Sequence, residues 1–259
     1  MGAVVNARFV TEDGLAVQAV TAEQMRAIDR IAIEETGPHL FQMMENAGRT
    51  LASQTIALLG AGWRGARVVV LAGGGGNGGG GICAARHLAN RNVSVALVLS
   101  EPGRLGEVPA FQRKIFGSTR AHEIDATEVA REQPDVIIDA LIGYGLREAP
   151  RGRTADLIAW ANASGARILA LDVPSGMNAT TGHCSGACMQ PSTTLTLALP
   201  KTGLAIGTAG DLWLADLGIP RATYERAGVD YTDPFGARDR VRLSVSRTPL
   251  APEPRLARA

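Results

Sequence analysis

Eight glycines in the nine residues Gly73 to Gly81, interrupted only by Asn77, constrain this chain more than any other feature. They follow Arg67-Val-Val-Val-Leu-Ala72, a short, almost wholly apolar run rich in β-branched residues. Such a run reads as a buried strand, and a helical segment follows from about Gly79 to Asn90. Strand, glycine turn and helix together leave unbonded amides at a helix N-terminus. An anion can sit there, and glycine lets it come close. Several overlapping GxGxxG frames fit, for example Gly73, Gly75 and Gly78. The competing reading is a tight strand-to-helix turn with no ligand. A dinucleotide-dependent dehydrogenase wants an acid at the end of the second strand. Glu101, followed by Pro102, matches that poorly.

The rest of the chain repeats the alternation. Residues 21–35 read as a helix capped by Thr21 with Gln24 three residues on, carrying Met25, Ile28, Ala32 and Ile33 as its apolar stripe. A second helix runs from about Leu40 to Leu59. Further strands are expected at Val93–Leu99, Asp135–Asp139, Arg167–Asp172, Thr193–Leu199 and Asp211–Ala215, with a short one near Ala121–Ile124. Helices are expected at Leu105–Phe116 and Arg153–Ala163. Continuous apolar strands separated by helices imply a parallel sheet covered on both faces. The expected fold is therefore α/β: a Rossmann-like, doubly wound, mostly parallel sheet in three α/β/α layers, with two N-terminal helices. One domain is expected over residues 1–236. Residues 237–259 read as a flexible basic tail, because Phe235 to Ala259 holds six Arg against Asp239 and Glu253, together with Pro249, Pro252 and Pro254.

Composition narrows the partners. A net charge of +1 and 4% aromatic residues give no electrostatic or stacking basis for a nucleic-acid groove or an anionic membrane surface. No secretory h-region is visible, and the uncharged stretch Val173–Pro200 is too rich in Ser, Thr, Gly and Pro to be a span. Three cysteines, Cys83, Cys184 and Cys188, make no disulfide framework. Free thiols in a cytoplasmic protein are expected. His183, Cys184 and Cys188 lack zinc spacing and a fourth ligand. Only two of 26 basic residues are lysines, Lys114 and Lys201.

Two expected strands end in aspartate, and each runs into a glycine-bearing loop: Asp139 into Ala140-Leu-Ile-Gly-Tyr-Gly145, and Asp172 into Val173-Pro-Ser-Gly176. In an open parallel sheet, ligands bind at the carboxyl ends of the strands. The glycine run and these two loops should therefore share one edge, where Asp139 and Asp172 offer carboxylates for a metal ion or for proton transfer. The alternative for either is simple capping.

In order along the chain, Met44-Glu-Asn-Ala-Gly48, Ala72 to Gly81, Val136-Ile-Ile-Asp-Ala-Leu-Ile-Gly-Tyr-Gly145, Leu171-Asp-Val-Pro-Ser-Gly176, Leu199-Pro-Lys-Thr-Gly-Leu204 and Ala215-Asp-Leu-Gly-Ile-Pro220 resemble the YjeF N-terminal domain family, the NAD(P)H-hydrate epimerases. The resemblance spans roughly residues 20 to 220. It implies a Rossmann-like fold and interconversion of the R and S hydrates of NADH and NADPH at carbon 6 of the nicotinamide ring. It also implies a potassium ion held by Asn77, Asp139 and Ser175, and often a homodimer. The substrate would contact Gly76, Asn77, Gly78, Gly79 and Gly80, then Gly143, Tyr144, Gly145, Leu146, Arg147, Glu148 and Ala149, and finally Asp172. Asp172 would be the acid/base; Lys201 would assist it or reach a phosphate, or else be a solvated lysine. Where the family's glycine loop carries Pro, Asn and Asp, this chain has Gly74, Gly76 and Gly80. A divergent isomerase or cyclase acting on another small molecule, and a non-catalytic binding or scaffold domain, are the alternatives.

Overall fold

The computed structural model describes residues 6–248. Its centre is a ten-stranded sheet. In chain order the strands are β1 (Asn6–Thr11), β2 (Ala16–Val17), β3 (Arg67–Ala72), β4 (Ser94–Leu99), β5 (His122–Ile124), β6 (Val136–Ala140), β7 (Arg167–Leu171), β8 (Thr193–Leu197), β9 (Asp211–Ala215) and β10 (Arg240–Thr248). Spatially they run β2-β1-β10-β9-β8-β7-β6-β3-β4-β5. From β5 to β9 every pairing is parallel. The order reverses beside β3, whose neighbours are β4 and β6. That switch point puts the glycine turn at the centre of the carboxyl edge.

Alternation within each strand divides the core. Val68, Val70 and Ala72 face one side, with α1 (Ala22–Ile31), α2 (Leu40–Leu59), α3 (Gly76–Ala89) and α4 (Glu107–Phe116). Val69 and Leu71 also meet Leu157, Ile158 and Ala161 of α5 (Gly152–Ala163) on the other. A sixth helix, α6 (Arg221–Arg226), buries Tyr224 on the first side. This is the expected three-layer α/β/α fold. The capping box of α1 forms as read, with Gln24 N donating to Thr21 Oγ1 at 3.2 Å and Thr21 N to Gln24 Oε1 at 2.9 Å. No helix of the described residues is long and apolar enough to cross a membrane.

Most of the glycine run is there for packing. Five glycines open the fourteen-residue α3, and each costs a helix about 1 kcal/mol against alanine. Tertiary contact offsets that cost. A Cβ at Gly78 would collide with the Gly73 carbonyl, and one at Gly81 with Ala140. One at Gly48 would strike Cys83 and lie 2.8 Å from the Gly80 carbonyl, so glycine also sets how closely α2 approaches α3. Gly75 and Gly76 alone in the run face open space or, for Gly76, only the Met44 sulfur at 3.9 Å.

Two expectations are corrected. The segment from residue 237, read as a flexible basic tail, supplies β10, antiparallel to both β9 and β1. Val241 and Leu243 are buried while Arg242 and Ser244 are exposed. A period-two strand was hidden by a charge count averaged over the whole segment. The domain therefore continues past residue 236, and ending the chain there would strip β1 and β9 of a shared neighbour. Pro249 to Ala259 lie outside the described residues. Secondly, Cys184 and Cys188 form a disulfide, and among the three cysteines only Cys83 is free. The fold of residues 177–189 brings the two sulfurs together, a proximity their spacing does not announce.

Candidate active site

Asp139 lies in β6 and is fully buried. Its carboxylate accepts from Ser175 Oγ at 2.6 Å, from Ser175 N at 2.9 Å and from Leu141 N at 3.3 Å. Ser175 is held in turn by the next loop: Ile142 N donates to its Oγ at 2.8 Å, and its hydroxyl lies 3.2 Å from the Ile142 carbonyl. Behind Ser175, Gly176 has φ +96° and packs against Ala187 and Cys188, where a Cβ would clash. Burial pushes the Asp139 carboxyl up to about 6, against the pull of these hydrogen bonds. A carboxylate so placed, with hydroxyl and carbonyl oxygens beside it and no basic side chain bonded to it, is a hard-donor set suited to a cation.

Asp172 follows β7 with φ +70°, in the left-handed region that a β-carbon normally resists. Its Oδ1 accepts from Lys201 Nζ in a buried ion pair. Its Oδ2 accepts from Tyr144 N at 3.0 Å. Lys201 is 1% exposed, so the solvated-lysine alternative is wrong. Its ammonium also donates to the Leu197 carbonyl at 2.8 Å, and it stands 5.9 Å from the centre of the Tyr144 ring. The chain reaches this point because Val20 bridges to Lys201 and anchors the entry to α1.

Gly143 joins the two carboxylate systems to the glycine turn. A Cβ there would lie 3.1 Å from both Asn77 Oδ1 and Asp172 Oδ2. Only glycine leaves the gap between them open. Asn77 Nδ2 is buried without a hydrogen-bond partner, an unspent polar group on the same side chain.

The structure thus brings together Asn77, Asp139, Gly143, Tyr144, Asp172, Ser175 and Lys201. Other candidates are packed against neighbours or exposed. Gly78, Gly79 and Gly80 are buried packing positions; Gly79 N is committed to the Gly75 carbonyl at 3.1 Å. At Gly80 a Cβ would meet Leu171 at 2.9 Å, with Ala47 and Met44 beyond, so a carboxylate there would be buried among apolar groups. Gly145, Arg147 and Glu148 are exposed, with Glu148 paired to Arg151 at 3.6 Å, and Leu146 and Ala149 are half-buried.

One member of the network escaped the sequence reading. Asp29, on α1, accepts from the Tyr144 hydroxyl at 2.5 Å. Burial raises its carboxyl above the ordinary value despite that bond and the Lys201 charge. The same burial, with the Asp29 charge, pushes the Tyr144 phenol up. The signal was there: Asp29 stands four residues from both Met25 and Ile33, a carboxylate inside the apolar stripe.

Comparison with known proteins gives the family. The family described as YjeF-related protein N-terminus matches residues 40–203. A Dehalogenimonas lykanthroporepellens protein described as NAD(P)H-hydrate epimerase is 50% identical over 240 residues, covering 92% of this chain and 98% of its own length. One from Weissella koreensis with the same description is 36% identical, over 78% of this chain and 91% of its own. The bifunctional NAD(P)H-hydrate repair enzyme Nnr of Salinibacter ruber is 34% identical, and there the chain spans 43% of the longer protein. The crystal structure of yeast YNL200c superposes with a TM-score of 0.77 over 87% of this chain and all of its own, at 19% identity, which speaks for the fold. The chain belongs to the YjeF N-terminal domain family.

Proposed function

We propose that the protein is an NAD(P)H-hydrate epimerase, an isomerase that interconverts the R and S hydrates at carbon 6 of the nicotinamide ring. The observation that carries this is the buried Asp172–Lys201 pair opening through Gly143 toward Asn77, in a chain half identical to an epimerase along nearly its whole length.

The chemistry needs no redox step. The C6–O bond breaks with its electron pair going to oxygen, and the ring nitrogen supplies electrons to the carbon, leaving a nicotinium-like cation. The proton held between Lys201 and Asp172 goes to the departing hydroxyl, which leaves as water. Water returns to the other face of C6 and gives its proton back to Asp172. The Asp172 carboxylate favours the cation as it develops. Tyr144 N fixes the Asp172 carboxylate, and the open amides at the start of α3 receive the phosphates.

The oxygens of Asn77, Asp139 and Ser175 suit a potassium ion. Bound there, it would neutralise Asp139 and hold the three loops in register. The same reading takes the substrate as a small molecule and the working form as a cytoplasmic homodimer, which size-exclusion chromatography with light scattering tests.

The test of function is direct. Separated R and S hydrates are incubated with the protein in potassium buffer and followed by chiral chromatography. Each pure epimer is expected to relax to the same mixture far faster than without protein. Unchanged epimers would overturn the reading.

A further inference from the structure

On the β4 side of the glycine turn, beside the α3 amides that receive the phosphates, lies a cavity of about 280 Å³ whose outer walls the reaction above does not use. Its floor is Gly74 to Gly76, and Val108 and Pro109 of α4 form one wall. Ile33 and the start of α2, His39 to Phe41, form the other. The His39 and Phe41 rings lie parallel with centroids 5.5 Å apart, and Phe111 meets Phe41 edge-on at 5.2 Å. Among the described residues three large hydrophobic side chains are exposed, and two of them, Ile33 at 42% and Phe111 at 48%, gather here. Apolar surface concentrated at the mouth of a cavity marks a binding site rather than chance exposure.

Its position says what fits. Gly76 lines the cavity, and its neighbour Asn77 faces Asp172 across Gly143. The first turn of α3 lies between, its N-cap Gly75 providing no side-chain cap. Overhead, Asp29 is bonded to Tyr144, and Ile33, one turn further along, lines the cavity. Four helical residues rise about 6 Å. An occupant spanning both ends is elongated, with a reacting ring at Asp172, an anionic middle on the α3 amides and a flat apolar group between Phe41, Ile33 and Val108.

We infer that this cavity is the subsite for the adenosine half of a dinucleotide substrate, held by aromatic and aliphatic contact around Phe41 and Ile33. This rests on the epimerase reading and adds where the non-reacting half of the substrate sits. It also implies a division of labour: the cavity holds the non-reacting half of the substrate, and the Asp172 edge carries the chemistry.

The experiment compares the hydrate of NADH with the hydrate of reduced nicotinamide mononucleotide, which lacks the adenosine half. Phe41→Ala removes the ring. Ile33→Glu changes an exposed side chain and so keeps the test valid if Phe41→Ala fails to fold. Each variant is expected to raise KM for the NADH hydrate roughly tenfold and to leave the mononucleotide kinetics where they were. AMP, titrated by calorimetry, is expected to bind the wild type and to lose affinity in Ile33→Glu. Equal changes for both substrates, or no change for either, would overturn the subsite while the epimerase reading stood. So would a switch from dimer to monomer in Ile33→Glu with AMP affinity intact, because the patch would then be a subunit interface. A wild type that turns over neither hydrate but binds AMP in an Ile33-dependent way would overturn the epimerase reading and keep the subsite.

Discussion

Two polar clusters lie on α2, α3 and the sheet edge, and they differ in how their charges are met. At the α2–α3 interface Glu45 accepts from Arg86 at 2.5 Å and pairs with His87 at 2.8 Å, while the Cys83 thiol donates to it at 3.3 Å. These ligand atoms stand close enough to hold a metal, yet the Glu45 charge is already met by Arg86, whose Nε is buried without a partner. Burial pushes the Cys83 thiol up to about 12, away from the thiolate a metal needs. Burial works against the Glu45 charge, but the bonds from Arg86, His87 and Cys83 prevail and hold its carboxyl near 2. At the sheet edge, by contrast, Asp139 is fully buried with hydrogen bonds but no counter-charge bonded to it, and the Asn77 amide nitrogen is unspent. In the first cluster the Glu45 carboxylate has a charged partner bonded to it. A buried carboxylate with no counter-charge bonded to it is placed for a cation that arrives.

The largest expected effect tests the second cluster. Asp172→Asn keeps the shape of the side chain and removes its charge. Epimerisation should fall by about 10²–10⁴-fold, the range for a lost acid/base. The site is buried, so stability should fall too, by about 3–5 kcal/mol, because Lys201 loses its anion. In the double variant Asp172→Asn/Lys201→Met, urea denaturation should show stability recovered and the assay no activity. Recovered activity would assign the pair to the fold alone.

Asp139 gives the next effect, through pH. Its folded value, about 6, lies above the ordinary 3.8. The fold therefore favours its protonated form: that contribution is complete below the unfolded value and is lost as pH rises through about 6. Above that pH the carboxylate is charged and needs a cation. Potassium should raise the melting temperature above about pH 6 and have a fading effect below it, and Asp139→Asn should remove the dependence. A potassium effect that is flat with pH, or that survives the substitution, would break the contrast.

Asp29→Asn and Tyr144→Phe should each lower kcat/KM by roughly tenfold, the equivalent of one hydrogen bond to a charged group. Together they should cost little more than either alone, since they remove the same contact. Additive losses would show that Asp29 acts apart from Tyr144. Smallest of all, Glu45→Gln should cost no activity. Its carboxyl is held low, so it stabilises the fold above the ordinary glutamate value of 4.5, and that help is lost as pH falls toward 2. The substitution should therefore lower the melting temperature slightly at neutral pH and not at all in strong acid.

The main elements were legible where local pattern and burial agree. The β-branched run before Gly73, the capping box at Thr21 and the strand-end aspartates all declare themselves in sequence, because helix and strand periods are written into neighbouring residues. β10 was not, because its alternation lies among arginines. Nor was the packing of each glycine: only the neighbouring Gly73 and Leu171 show that a side chain at Gly78 or Gly80 would find no room.

The sequence by itself therefore determined the fold class and the shared edge of the three loops, since strand ends and glycine turns follow from short-range periodicity, while Asn77, Asp139 and Ser175 as ligands came from the family resemblance. Tertiary structure alone decided that Lys201 is buried on Asp172, that Asp29 reaches Tyr144 across 115 residues of chain, and that Asp139 is left without a counter-charge. The reason is physical. Burial, and the charge balance it enforces, depend on atoms distant in sequence, and no window of neighbouring residues contains them.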